Sequence, residues 1–147
     1  MSMFNDQQKK GILTEIKCIE KFIELGFSVS VPYGNANRYD LLVDTGNKIL
    51  RVQCKSSIKN ENGSYTVSTV TSVATTSTKY KKFYNETQID LLVTIIEDNL
   101  VCLPVDFIKK STSRVFRTKL PDHGSKSNCN LIEDFTFDKI VKPIIDG

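Results

Sequence analysis

Apolar positions near the start of the chain recur at helical spacing: Ile12, Ile16, Ile19, Phe22 and Ile23. They lie between a capping Asn5 or Asp6 and Gly26, so a helix is expected from there to about Leu25, with Gly26 as its stop. Lys17, Glu20, Lys21 and Glu24 would form its wet face. From Phe27 the period falls to two. Phe27–Val31 reads as a strand closed by Pro32, and Tyr39–Asp44 as a short apolar strand. Thr45-Gly46-Asn47 has the chemistry of a tight hairpin turn. Lys48–Ser56 follows, with Leu50, Val52 and Cys54 on one face and Arg51, Gln53 and Lys55 on the other. A turn at 59–63 and a strand over Ser64–Val70 would give this segment a hairpin partner on each side.

Beyond it, the Ser/Thr-rich Thr71–Thr78 reads as a loop. The near-continuous apolar run Ile89–Ile96 reads as a strand covered on both faces. A turn at Glu97-Asp98-Asn99 leads into a strand over Leu100–Leu103, and Pro104–Lys110 starts a short helix. Arg114–Lys119 alternates like an edge strand or basic ribbon, and Pro121–Asn130 is a polar loop. The tail, with Ile132, Phe135, Phe137, Ile140, Val141, Ile144 and Ile145, still offers core residues. The pattern is a helix followed by a mixed sheet with one or two short helices: an α/β or α+β fold, residues 1–147 as one domain.

Two polar features stand against this pattern. Glu15 lies three residues after Ile12 and four before Ile19, on or beside the core-facing stripe. A carboxylate there must snorkel to the rim, pair with a lysine or meet a metal. Folding the hairpin about Gly46 brings residue 40 opposite residue 52 or 53. Asp40 then lies beside Gln53, with Lys55 two residues along on the same face. A carboxylate, an amide oxygen and an ammonium in one patch match the needs of a phosphodiester-cleaving metal site. The same three side chains would also suit a plain solvated sheet face.

Composition narrows the field only slightly. A chain of 147 residues with 39% apolar and 25% charged residues can bury a sizeable core. No apolar run approaches membrane-spanning length, and the polar start MSMFNDQQKK has no signal-peptide core, so a cytoplasmic protein is expected. Cys18, Cys54, Cys102 and Cys129 are far apart, without zinc spacing, and free thiols fit a reducing compartment. His123 is the only histidine, which excludes histidine metal cages and catalytic triads. The net charge of +3 is a weak pointer to nucleic acid, but its clusters say more. Lys79, Lys81 and Lys82 alternate with aromatics, and Lys109, Lys110, Arg114, Arg117 and Lys119 follow, patterns suited to phosphate contacts or to a solvated face.

The series Glu15, Asp40, Gln53-x-Lys55 resembles the PD-(D/E)XK nuclease superfamily, and within it the group I intron-associated homing endonucleases. The likeness runs through KKGILTEIKCIEKFIELGFSVSVPYGNANRYDLLVD, VQCKSS, DLLVTIIEDNLVCLPVDF and the basic Ser113–Lys119 segment, which is most of the chain. It implies a restriction-endonuclease-like core, a mixed β-sheet flanked by helices, with metal ligands at one end. It further implies a Mg2+-dependent DNA endonuclease, with Mn2+ able to substitute, acting on double-stranded DNA as a homo-oligomer, dimer or tetramer. By this resemblance Asp40 is the main metal ligand, Gln53 offers its oxygen, the Cys54 carbonyl adds another, and Glu15 reaches in from the helix. Lys55 orients or deprotonates the attacking water and steadies the phosphate, while Arg38 and the basic clusters contact DNA. The chain departs from the pattern at Gln53, usually Glu or Asp, and Tyr39 rather than proline precedes Asp40. A neutral amide holds a divalent cation less strongly, and two alternatives stand beside site-specific cleavage, the second of them favoured by this amide. One is a four-way-junction (Holliday-junction) resolvase of the same superfamily; the other is a DNA-binding module that keeps the fold without the chemistry.

Overall fold

The computed structural model describes residues 2–34, 36–74, 79–124 and 129–146, with 72–74 and 79–81 described by their backbone alone. In chain order the elements are α1 (Asp6–Glu24), β1 (Ser28–Ser30), β2 (Leu41–Asp44), β3 (Ile49–Cys54), β4 (Ser57–Lys59) and β5 (Tyr65–Ser68). Then come β6 (Val70–Ala74), β7 (Lys79–Phe83), β8 (Leu91–Ile96), β9 (Asn99–Pro104), α2 (Val105–Ile108) and β10 (Ser113–Arg117). The chain closes with β11 (Asn130–Leu131), a single 3-10 turn, α3 (Phe137–Ile140) and α4 (Lys142–Asp146). Among the described residues no helix is long and apolar enough to cross a membrane.

Helix α1 begins at a reciprocal cap. The Asn5 side chain accepts from the Gln8 amide at 2.8 Å, and the Gln8 side chain accepts from the Asn5 amide at 3.0 Å. It ends at Gly26, whose φ of +90° is the left-handed stop expected of it. Its buried line differs from the expected one. Cys18 and Phe22 are fully covered and Ile19 partly, whereas Ile12, Ile16 and Ile23 remain 41%, 54% and 57% exposed. Isoleucine spacing alone misplaces the contact because the sheet meets the helix along positions 15, 18, 19 and 22. Glu15 is therefore on the packing line and half-buried.

Strands β1-β2-β3-β8-β9 form one sheet in that order. All neighbours are antiparallel except β3 and β8, which run parallel with Gln53 opposite Leu92. The β2–β3 register pairs Leu41 with Val52, which puts residue 40 opposite residue 53 as the turn chemistry requires. Strand β8 explains its own apolar run. Leu91 and Val93 face one core with Cys18, Phe22 and Phe137, while Leu92 and Ile96 face a second with Tyr65, Tyr84 and Phe116.

The second sheet, β11-β10-β5-β4, corrects two expectations, and the β6-β7 ribbon a third. Strand β3 is not flanked by hairpin partners on both sides, because β4 and β5 leave for this sheet and the parallel β8 takes the vacant edge. Parallel neighbours far apart in sequence leave no local signal. Strand β10 is not an edge, since it lies between β5 and the short β11. Residues 71–74 are not a loop but part of β6, which pairs with β7 in a separate two-stranded ribbon, Val70 opposite Phe83. Residues 75–78 of the expected loop, and 125–128 of the polar loop, lie outside the described residues.

The parallel β3–β8 junction is locked at its start by Arg51 and Asp90. The Arg51 backbone donates to Asp90 Oδ2 at 2.8 Å, its Nε to the same oxygen at 3.2 Å, and its Nη2 to Oδ1 at 3.0 Å. Arg51 also donates to the Thr87 and Glu86 carbonyls at 2.7 and 2.8 Å. Burial pushes the Asp90 carboxyl up, but the hydrogen bonds from Arg51 outweigh it and hold the group below its ordinary value. A depressed carboxyl stabilises the fold above the unfolded value and loses that contribution as pH falls through the folded one. Asp90→Asn should therefore cost about 1–2 kcal/mol at neutral pH, a figure kept low because the pair is partly exposed. The difference from wild type should shrink below about pH 4, as denaturant melts over a pH series will show.

Candidate active site

Asp40 stands one residue before β2, with its backbone amide bonded to the Val52 carbonyl at 2.8 Å. Its Oδ2 accepts from the Cys54 amide at 3.0 Å. The hairpin thus fixes this carboxylate at both its backbone and its head. Glu15 arrives from α1, and the two line an open cleft of about 360 Å3 with Phe4, Gln8, Ile12 and Cys54. Burial raises both carboxyls above their ordinary values. Asp40 raises Glu15 further, whereas the Cys54 amide and Lys55 draw Asp40 back.

Gln53 and Lys55 complete the group from β3 and its exit. The Gln53 Nε2 donates to the Cys54 carbonyl at 3.4 Å. The two expected neutral ligands are therefore hydrogen-bonded to each other, and Gln53 must turn its amide over to lend an oxygen. The Cys54 thiol, hydrogen-bonded to Cys18 and buried, is pushed well above its ordinary range and behaves as an apolar core group. Lys55 is anchored through its backbone to the Val93 carbonyl at 2.9 Å, and its Nζ donates to the Val70 carbonyl at 3.2 Å. Burial lowers the Lys55 ammonium, Arg38 lowers it further, and Asp40 opposes both. Around this group, Thr14 shares a 2.9 Å hydroxyl bond with Ser56, and Lys10 Nζ donates to the Ser57 carbonyl at 2.7 Å. These two contacts tie α1 to the exit of β3.

The donor set suits a hard divalent cation: two carboxylates, an amide oxygen and a main-chain carbonyl. Burial disfavours both carboxylates, and Asp40 disfavours that of Glu15 further, a cost that such an ion would offset. Among the described residues no three His, Cys, Asp or Glu side chains converge, so a cation held here would draw on the neutral oxygens as well. A larger cleft of about 620 Å3 runs along the far side of α1 by Lys9, Lys10, Leu13 and Ile95, and includes neither Glu15 nor Asp40.

The basic residues separate into distinct places. Arg38 belongs to the site, its guanidinium 4.7 Å from the Tyr84 ring centre. Lys79, Lys81 and Lys82 lie on β7, opposite Ala74, Ser72 and Thr71; the side chains of Lys79 and Lys81 are outside the described residues, and Lys82 is exposed. Arg114 is held within the fold, 4.1 Å from the Phe107 ring centre and donating to the Phe107 carbonyl at 2.6 Å. Arg117, which reaches the Asn62 carbonyl at 3.4 Å, lines a cleft of about 410 Å3 with Lys119 and His123. That cleft shares no residue with the one at Glu15 and Asp40. Sequence reasoning missed Tyr84 and the Val70 carbonyl. Tyr84 carried a signal only as one aromatic among lysines, and a main-chain carbonyl carries none.

A helix laid on a mixed sheet, with a carboxylate at a hairpin strand start and a Gln-x-Lys on the neighbouring strand, is the arrangement of a nuclease core. The chain belongs to the PD-(D/E)XK endonuclease family, whose model matches residues 5–138. Among solved structures, the one described as "The structure of a bacterial homing endonuclease: I-Ssp6803I" is similar with a TM-score of 0.76. The likeness covers 97% of this chain and 95% of that one at 22% identity, which shows a common fold. No curated protein matches the sequence.

Because Asp40 and Glu15 repel each other without a counter-ion, Asp40→Asn should raise the melting temperature in EDTA by about 2–4 °C. Added Mn2+ should then stabilise the wild type and leave the variant unmoved, as thermal melts will show.

Proposed function

We propose that the chain is a Mg2+-dependent endodeoxyribonuclease that makes site-specific, homing-type double-strand cuts, with Mn2+ able to replace Mg2+. One observation carries the reading. Glu15 and Asp40, from a helix and a strand start, line one cleft with Cys54, whose carbonyl accepts from Gln53, and Lys55 lies near enough to draw the Asp40 carboxyl down, in a chain of an endonuclease family. Asp40 and Glu15 hold the cation, joined by the Cys54 carbonyl and by Gln53 once its amide has turned. A cation held there would lend Lewis acidity at the phosphoryl oxygen and make a water more acidic. Lys55, held near Asp40, orients that water, helps remove its proton and steadies the developing charge on phosphate. Lowering of its ammonium by burial and by Arg38 makes Lys55 a better proton acceptor than an exposed lysine.

Cutting both strands of a duplex calls for two such sites, so a homo-oligomer, dimer or tetramer, is part of the proposal. The apolar residues Ile12, in the cleft with Glu15 and Asp40, and Leu13 and Ile16, in the larger cleft along α1, are 41%, 63% and 54% exposed and support a surface that another copy covers. Exposed Lys82 on β7 and exposed Lys119 support contacts to the phosphate backbone. One observation favours a second reading: the Gln53 amide donates to the Cys54 carbonyl instead of presenting its oxygen, as a DNA-binding module without chemistry would tolerate.

Plasmid, linear duplex and a four-way junction, each with Mg2+, Mn2+ or EDTA, distinguish these readings. Metal-dependent cutting that Lys55→Ala abolishes, with duplex affinity within about threefold of wild type, is the expected result. Cutting of the junction alone would replace the homing reading with a resolvase. Duplex binding with neither cutting nor metal uptake would establish the inert module. Gln53→Glu should tighten Mn2+ binding by about three- to tenfold through its added charge. Unchanged affinity by calorimetry would remove Gln53 from the ligand set.

A further inference from the structure

Two cations sit side by side at the site, which needs a physical cause. Lys55 and Arg38 repel each other, as the lowering of Lys55 by Arg38 records. Asp40 attracts Lys55 but is a single carboxylate already bonded to the Cys54 amide. The remaining support is one aromatic ring, shared by both cations, and a main-chain carbonyl beneath Lys55. The Tyr84 ring centre lies 4.7 Å from the Arg38 guanidinium carbon and 5.7 Å from Lys55 Nζ. An aromatic face attracts a cation, more strongly where water is excluded, and Tyr84 is only 2% exposed.

The ring belongs to the foot of the β6–β7 ribbon. Tyr84 directly follows the last residue of β7, and Phe83 pairs with Val70, the first residue of β6. The Val70 carbonyl accepts from Lys55 Nζ and also from the Ser68 hydroxyl, each at 3.2 Å. Both feet of the ribbon therefore hold the Lys55 head, one by a ring and one by a carbonyl. Below, Tyr84 is seated in the second core with Ile89, Leu92 and Val105, so the ring is fixed by packing. Arg38 Nη2 is buried and has no hydrogen-bond partner. A buried donor left unpaired is costly, and one beside a second cation and an acid-lined cleft fits an anion with several acceptor oxygens.

We infer that Tyr84 is a positioning residue: its ring and the Val70 carbonyl, the two feet of the β6–β7 ribbon, hold Lys55 and Arg38 as a paired seat for the phosphodiester to be cut. The inference rests on the nuclease reading above. It adds that the lysine's place is set by the ribbon, not by β3 alone, and that Arg38 is the second donor to the phosphate. For Lys55 the ring face does this and not the hydroxyl, whereas Arg38 donates a hydrogen bond to the Tyr84 hydroxyl besides its place over the ring. Burial pushes the Tyr84 phenol up, so the hydroxyl remains protonated and supplies no counter-charge.

Two measurements test it, one of them independent of cleavage. In the metal-free protein, NMR of the Lys55 ε-methylene should show an upfield ring-current shift that persists in Tyr84→Phe and disappears in Tyr84→Leu. In single-turnover cleavage of plasmid DNA with Mn2+, Tyr84→Leu should lose about a hundredfold in rate, the scale of a small misplacement of a catalytic group. Tyr84→Phe should restore most of that rate. Binding of a 30-base-pair duplex in Ca2+ should stay within about threefold for both variants. Arg38→Gln is the second probe should Tyr84→Leu fold poorly: it should lose rate while the Lys55 shift remains. An unshifted Lys55 methylene in the wild type overturns the inference whatever the cleavage result. Wild-type cleavage by Tyr84→Leu also overturns it while leaving the nuclease reading intact. Failure of the wild type to cut any DNA contradicts the nuclease reading instead, and the resonance shift then decides the ring seat alone.

Discussion

The register of the β2–β3 hairpin is the constraint on which the site depends. Its pairing of Leu41 with Val52 carries Asp40 to the level of Gln53, and the 2.8 Å bond from the Asp40 amide to the Val52 carbonyl extends the ladder one step past the strand. The Cys54 amide then fixes the carboxylate head. A slip of one residue would turn Gln53 and Lys55 to the apolar face and bring Leu50, Val52 and Cys54 out of the core. Burial of these three against α1 therefore protects the polar arrangement on the other face. The Arg51–Asp90 lock and the Lys55 amide bond to Val93 hold the same strand from its parallel neighbour.

Around that register the charges are arranged against their own comfort. Two carboxylates face one cleft, both raised by burial, and two cations share one aromatic ring. Each cation–ring contact contributes only about 0.5–2 kcal/mol, so neither could hold its group if the ring itself moved. The ring is steady because Tyr84 is part of the second core and the first residue after the ribbon. The chain thus keeps anions and cations apart by a few residues, an arrangement that a metal ion and a phosphate would neutralise from opposite sides.

What the sequence disclosed was local. The Asn5 cap, the Gly26 stop, the hairpin about Gly46 and the doubly covered β8 are each written within a few neighbouring residues, and all appear in the fold. Glu15 was legible as a carboxylate out of place on a helix, and Asp40 with Gln53 and Lys55 as partners across a turn. Long-range choices were not legible. The parallel pairing of β3 with β8 needs the whole intervening chain, and β6 hides in a Ser/Thr-rich stretch whose hydroxyls suit a loop as well as a strand. The apolar line of α1 was read rightly at Ile19 and Phe22 but missed Cys18, whose small side chain counts little beside the exposed Ile12, Ile16 and Ile23. Arg114 looked like a DNA contact by its charge, but a neighbouring Phe107 ring and carbonyl hold it within the protein.

The proposed divalent-cation site joins Glu15, Asp40, Gln53 and the Cys54 carbonyl within reach of Lys55. Titration of the isotopically labelled protein with substoichiometric Mn2+, followed by paramagnetic broadening in NMR spectra, tests it most directly. Broadening should centre on Glu15, Asp40, Gln53 and Cys54, extend to Lys55 and be abolished by EDTA. Broadening centred elsewhere, or none at these residues, would contradict it.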